Sequence, residues 1–330
     1  MPMRSHLAYL FLLPLLLAAC VSQSATPQRL PTRAATPIPT PTPFSIAART
    51  YYEEGVARQE AGDVEGAMQS FTWAIQRAPD FAPAYVARGA IYLAQGRLRP
   101  ALADADAALE IDATSATAHA LRGETLRLLG RAHRALEAFD QALALDPALE
   151  PETFHARWLA ARATHNADRL LTLSREYTAA HPDDPLRHYY RGWGLIKLDK
   201  PRSAIGILVR GIEAAPDPPA ALWFALGWAY LEDRSWQEAV TSFEAARALV
   251  QAGDTSLAVH SDRPVADLFD ALGRAYLGVG RCVDAEVMLE YAVDVGAPAS
   301  ECASALEEAR VCQTAIPTTT LYPTTTPSTW

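Results

Sequence analysis

Apolar residues along the chain recur three and four positions apart, in stretches of about a dozen residues. That is the period of an amphipathic helix and not the alternation of a half-buried strand. Residues 82–114, APAYVARGAIYLAQGRLRPALADADAALEIDAT, show two such stretches around a glycine. Units of the same form begin near Ala48, Ala82, Ala116, Pro151, Pro185, Ala220 and Ala266. Within the units, Gly62, Gly96, Gly130 and Gly280 mark turns, where glycine ends a helix with positive φ. Between units, Pro79, Pro147, Pro182 and Pro216 stop the second stretch, because proline cannot continue a helix. The pattern predicts seven helix-turn-helix pairs.

Small residues keep a fixed step through these units. Gly55, Gly89 and Gly123 are 34 residues apart, and each is followed twelve residues later by Ala67, Ala101 or Ala135. Gly192/Ala204, Gly227/Ala239 and Gly273/Ala285 repeat the pairing. A period of this size marks a solenoid, in which each unit buries its apolar face against its neighbours. The fourth unit departs from it: Arg157 and Trp158 stand where the others have glycine, and its register slips by one residue. About twelve extra residues, Gly253 to Pro264, separate the sixth and seventh units and are expected to form a protruding loop.

The sixth unit carries Trp223, Leu226, Gly227, Tyr230, Ala239, Phe243 and Ala246, and the third carries Gly123, Ala135, Phe139, Ala142 and Pro147. This spacing resembles the tetratricopeptide repeat. The resemblance covers residues 47–297, about three quarters of the chain, and implies an all-α superhelical solenoid of about seven repeats. A further helix over residues 298–313 is expected as a C-terminal cap that shields the last repeat from water.

The ends alter the expected compartment. Arg4 precedes the apolar run LAYLFLLPLLL, residues 7–17, too short for a membrane span and shaped like a signal sequence. The run leads into Leu17-Ala18-Ala19-Cys20, which resembles the bacterial lipoprotein signal. By that resemblance residues 1–19 are removed and Cys20 is lipidated, anchoring the chain to the outer membrane or to the outer face of the cytoplasmic membrane. Val21, a residue other than Asp, fits outer-membrane sorting. Residues 20–46 are dense in Thr and Pro and read as a disordered linker of up to ~70 Å. Residues 314–330 repeat that composition.

A net charge of −9 with no basic run argues against a nucleic-acid partner and against electrostatic attraction to an anionic membrane. No metalloprotease, nucleophile-elbow, phosphate-loop or Cys-x-x-Cys motif occurs, so no enzyme activity, cofactor or metal is expected. The carboxylate pairs Asp104/Asp106 and Asp183/Asp184 are read as a helix surface and a turn.

In the resembled family, the first helix of each repeat lines a concave groove. By that implication the fifth repeat offers Tyr189, Trp193 and Lys197 to the groove, and the sixth offers Phe224, Trp228 and Glu232. The aromatic pairs are four residues apart and stack on one helix face. Two roles stay open for them: exposed hot spots for a protein or peptide, or core. The Lys/Asn carboxylate clamp of the family's chaperone-type members is not matched at Val86, Ala90, Ala120, Glu124 and Arg127.

With Cys20 lipidated, Cys282, Cys302 and Cys312 remain in an oxidising envelope. If the cap folds back antiparallel on the preceding helix, residue 312 comes level with 283, which favours a Cys282–Cys312 bridge and leaves Cys302 free. The expected function is a lipid-anchored scaffold that binds an envelope protein or peptide. The alternative is an envelope receptor for a peptide or carbohydrate, which Trp193 and Trp228 facing each other across a pocket would favour.

Overall fold

The computed structural model describes residues 43–164 and 166–315. The candidate signal peptide, Cys20 and the Thr/Pro-rich tail beyond residue 315 lie outside them. Every repeat is a helix pair: α1 (Pro43–Glu60) with α2 (Val64–Arg77), α3 (Ala82–Ala94) with α4 (Leu98–Ile111), and α5 (Ala116–Leu128) with α6 (Ala132–Leu145). Then follow α7 (Glu150–Ala163) with α8 (Ala167–Ala180), α9 (Leu186–Lys197) with α10 (Pro201–Ala214), and α11 (Ala220–Glu232) with α12 (Trp236–Gln251). The last pair is α13 (Pro264–Gly278) with α14 (Cys282–Asp294), and α15 (Ala299–Ala315) packs against both as the cap. Residues 43–46, placed in the linker by composition, form the first turn of α1, where proline needs no N–H partner. Thr314 and Ala315, placed in the tail, end α15.

The glycines at the eighth position of six repeats let the paired helices close. A Cβ built on Gly227 would sit 2.6 Å from the Phe243 ring, and one on Gly123 would sit 2.9 Å from Phe139. Alanine at the twentieth position is fully buried in all six of those repeats. In the fourth repeat Trp158 and Leu170 take the glycine and alanine positions, and Ser174 stands where five of the other six carry Phe or Leu, the second carrying Ala105. Trp158 is fully buried, and α7 and α8 approach each other less closely than the other pairs. The fourth unit is therefore a helix pair in which large side chains replace the close glycine–alanine approach of the others.

The turn position filled by Gly62, Gly96, Gly130 and Gly280 at positive φ is Asp199 (φ 56°) in the fifth repeat and Arg234 (φ 60°) in the sixth. The backbone turns the same way without glycine and bears the Cβ strain of the left-handed region. Arg234→Gly is expected to stabilise the fold by about 1 kcal/mol, read as a raised melting temperature.

The odd-numbered helices touch one another along much of the array (α3 with α5, α5 with α7, α9 with α11, α11 with α13), whereas the even-numbered ones meet each other marginally at most. The layer whose helices lie closer together is the inside of the curve. The odd-numbered helices therefore form the concave face. Among the described residues no helix is long and apolar enough to cross a membrane.

Candidate functional site

The odd-numbered layer carries the predicted groove residues, but most are not open to solvent. Tyr189 and Phe224 are 0% exposed and Trp193 is 4% exposed, while Trp228 is half-buried and Lys197 exposed. The rings meet one another: Trp193 lies 6.0 Å from Trp228 and 6.4 Å from Phe224, centroid to centroid. Tyr189, Trp193 and Phe224 are thus core, a correction to the groove reading. Trp193 and Trp228 are in contact and do not frame a pocket.

The cover over these rings is the insertion between α12 and α13. It does not protrude. Gly253, with φ 98°, ends α12 and turns the chain back, and Ser256–Val259 form a 3₁₀ turn that lies on α11 and α13. Leu257 is 2% exposed and His260 4%. The Leu257-Ala258-Val259-His260 stretch has apolar surface to bury, and the aromatic layer next to it supplies the partner. That apolar run inside a supposed loop was the available signal in the sequence.

Polar contacts fix the segment at both ends. The Asp254 carboxylate accepts hydrogen bonds from the backbone N–H of Ala220 (2.9 Å) and of Ser256 (2.6 Å), and the N–H of Ala221 donates to the Ser256 hydroxyl (3.2 Å). These satisfy donors at the start of α11 that have no partner within the helix. Partial burial raises the Asp254 carboxyl, but the hydrogen bonds from Ser256 and Ala220 more than offset it and hold the group below its usual range. At the far end, the Arg127 guanidinium donates to Asp262 at 2.8 Å while also gripping Glu124.

His260 is the centre of the contact. Its ring lies 4.5 Å from the Phe224 ring and 4.8 Å from the Trp193 ring. Nδ1 is 2.7 Å from Arg162 Nη1 and 3.0 Å from the Tyr189 hydroxyl, and Arg162 also donates to the His260 carbonyl. Arginine can only donate, so Nδ1 accepts and the neutral ring carries its proton on Nε2. Nε2 lies 3.8 Å from Asp267. Burial, with the Arg162 and Lys197 charges nearby, lowers the His260 pKa well below its ordinary value.

This has a sign. An unfolded histidine protonates near pH ~6.5, while folded His260 resists protonation, so the unfolded state binds more protons as pH falls below that value. Stability is full above pH ~6.5 and is lost progressively below it. The melting temperature is expected to fall between pH 7.5 and 5.5, with a smaller fall in His260→Leu. His155 and His188, also lowered by burial, supply the residual slope, and Asp267, raised by burial, opposes it. Equal slopes in the two proteins would remove His260 as the source.

The inner face around the segment is basic. Arg127, Arg162 and Lys197 come from α5, α7 and α9, and Arg162 and Lys197 both lie over the Trp193 ring, at 5.7 and 6.0 Å from its centroid. Sequence reasoning missed Arg162, His260 and Asp262, and considered Arg127 only as part of a clamp.

Elsewhere the candidate chemistry is structural. Asp104 takes a two-pronged ion pair from Arg88 (2.9 and 2.8 Å), and Asp106 pairs with Arg122. Asp184 accepts from the Tyr177 hydroxyl and from the N–H of Leu186. His119 bonds the Ala113 carbonyl at 3.1 Å. Among the described residues no group of His, Cys, Asp and Glu side chains could hold a metal.

Cys282 and Cys312 are paired as a disulfide joining α14 to α15, with Cα atoms 5.9 Å apart. Cys302 is a free, buried thiol, and burial together with the neighbouring Asp270 pushes its pKa up to about 11. Mass analysis without reductant is expected to show one alkylatable thiol after residue 20. Cys312→Ser is expected to cost about 3–4 kcal/mol by freeing a loop of 30 residues, read from thermal melting.

Tetratricopeptide-repeat family models match residues 52–116, 116–149 and 189–254. DnaJ homolog subfamily C member 7 of Homo sapiens is 34% identical over 99 residues, 30% of this chain and 20% of that protein, and its Mus musculus counterpart is 33% identical over the same length. The chain spans about a fifth of the length of these curated relatives. Among solved structures, a tetratricopeptide repeat protein from Parabacteroides merdae ATCC 43184 is similar in fold, with a TM-score of 0.66 at 16% identity over 80% of this chain and 99% of that one. The APC/C hetero-tetramer Cut9–Hcn1 matches with a TM-score of 0.51 at 16% identity over 81% of this chain and 48% of that one. Its repeats matched in both halves and its fold similar to that of a solved member, the chain is a tetratricopeptide repeat protein.

Proposed function

We propose that the protein is a non-enzymatic scaffold that binds a protein or peptide on its inner face, held in a bacterial envelope by a lipid on Cys20. The observation that carries the binding reading is the segment 254–263. Ten residues of ordinary polypeptide lie across the odd-numbered helices and meet side-chain partners on them. A face that seats one segment of chain through its side chains has the means to seat another. The repeat fold supports an interaction role, and the basic residues Arg127, Arg162 and Lys197 favour a partner that presents carboxylates.

The anchor rests on the sequence before residue 21 and the Thr/Pro-rich stretch after it. Two or more acyl chains give stable attachment where one is marginal. The receptor alternative loses its expected pocket, since Trp193 and Trp228 touch.

The test uses the full chain expressed in a bacterial host. Intact-mass analysis should show an acylated Cys20 as the first residue, and Cys20→Ser should release the protein from membranes. Solubilised membranes passed over the immobilised repeat array should yield a protein that Arg127→Glu no longer retains. Membrane retention of Cys20→Ser removes the anchor, and absence of any Arg127-dependent protein removes the inner-face scaffold.

A further inference from the structure

The loop that joins α12 to α13 is longer than its task requires. It runs over residues 252–263, twelve residues, whereas the equivalent junctions 78–81 and 112–115 need four. The extra length is spent along the inner face. Its side-chain and backbone partners come from α5 (Arg127), α7 (Arg162), α9 (Tyr189 and Trp193), α11 (Phe224, Ala220, Ala221) and α13 (Asp267), all in the odd-numbered layer. One segment therefore crosses five repeats that are joined to each other without it.

Its contacts follow the logic of peptide recognition, with a few side chains in separate seats along a segment whose middle is the short 3₁₀ turn Ser256–Val259. Leu257 enters the apolar layer beneath α11 and α13, His260 enters the ring of Tyr189, Trp193 and Phe224, and Asp262 reaches the Arg127 guanidinium. The fit is incomplete. The buried indole N–H groups of Trp193 and Trp228 find no acceptor, and buried donors are ordinarily satisfied. Lys197, beside Trp193, receives no carboxylate from the segment.

Resting on the scaffold reading above, we infer that residues 254–263 occupy the protein's own partner-binding site in cis. The partner that displaces them presents a segment with an aliphatic side chain followed about five residues later by a carboxylate, in the same turned conformation as Ser256–Val259. Such a ligand repeats the Leu257 and Asp262 contacts, and carbonyl or carboxylate oxygens near the two indoles and Lys197 supply acceptors that the cis segment does not. The cis segment holds its site at the high effective concentration of a short tether, so it lowers apparent affinity for any ligand by the fraction of time the site is open.

The test titrates a fluorescein-labelled synthetic peptide of residues 254–263, DTSLAVHSDR, against the full chain and reads anisotropy. His260→Gly empties the aromatic seat, and Asp262→Ala, at an exposed position, frees Arg127 with little risk to folding. Expected are binding at least about tenfold tighter by His260→Gly and about threefold tighter by Asp262→Ala than by wild type, with both gains lost when Arg127→Glu is added. Far-UV circular dichroism checks folding, and Asp262→Ala alone carries the test if His260→Gly unfolds. No binding to folded variants, or one affinity for all, overturns the inference. The scaffold reading fails separately. A membrane protein retained equally by wild type and variants, with no peptide binding, leaves a scaffold whose segment is a fixed part of the fold. Peptide binding with no retained protein leaves the cis segment in its site and removes the scaffold.

Discussion

Trp193→Ala is expected to cost about 3–5 kcal/mol of folding stability, the range for truncating a large buried aromatic. Trp193 is 4% exposed, and its ring meets Tyr189, Phe224, Trp228 and His260, so removal opens a cavity walled by side chains from α9, α11 and the crossing segment. Those neighbours are large rings fixed by mutual contact and collapse poorly into the space. For a domain of this size the loss corresponds to a fall on the order of 10 °C in melting temperature. Trp228→Ala, at a half-buried position on the same layer, is expected to cost less. A melting temperature within about 2 °C of wild type for Trp193→Ala would return that ring to the solvent-facing role its sequence position first allowed.

Glu176→Ala is expected to destabilise the fourth repeat by about 3 kcal/mol, while Arg157→Met changes stability by less than about 1 kcal/mol. Arg157 is 3% exposed, with Nη2 2.9 Å from Glu176 and Nη1 3.6 Å from Glu150. Its Nε and Nη1 have no hydrogen-bond partner. Removing Glu176 strands a buried cation on one distant carboxylate. Removing the cation and keeping an unbranched apolar side chain removes the desolvation cost as well, so the two changes have unequal effects. The figure for Glu176 is at the low end of the range because that side chain is 38% exposed. Denaturant midpoints of the two variants give the order, and an Arg157→Met loss equal to that of Glu176→Ala would mean the ion pair itself is worth keeping.

Much of the fold was legible because its rules are local. A glycine followed twelve residues later by alanine specifies two helices whose backbones close on each other, and six such pairs set the register of the array. The turn signal was legible at Gly62, Gly96, Gly130 and Gly280. At Asp199 and Arg234 the register decides the backbone even though the residue type resists it. The fourth repeat was harder to read because Trp158 and Leu170 stand at its glycine and alanine positions. The close-packing positions depart from the pattern while Phe154 and Pro182 keep to it.

The candidate site was legible only in part. Spacing put Tyr189 with Trp193, and Phe224 with Trp228, on one face of their helices, and that face is the inner one. Whether such a face meets water depends on what lies over it, and the cover comes from elsewhere in the chain. His260 is 71 residues from Tyr189 and 98 from Arg162, and Asp262 is 135 from Arg127. By itself, then, the sequence determined the helix pairs, their number and their stacking, since each depends on contacts within a repeat or with the next. Only the tertiary structure decided that the insertion turns inward, that three of the four predicted groove rings are core, and that a basic inner face binds part of its own chain. Those outcomes depend on the curvature of the array, which brings repeats three to seven within reach of one loop and which no local period records.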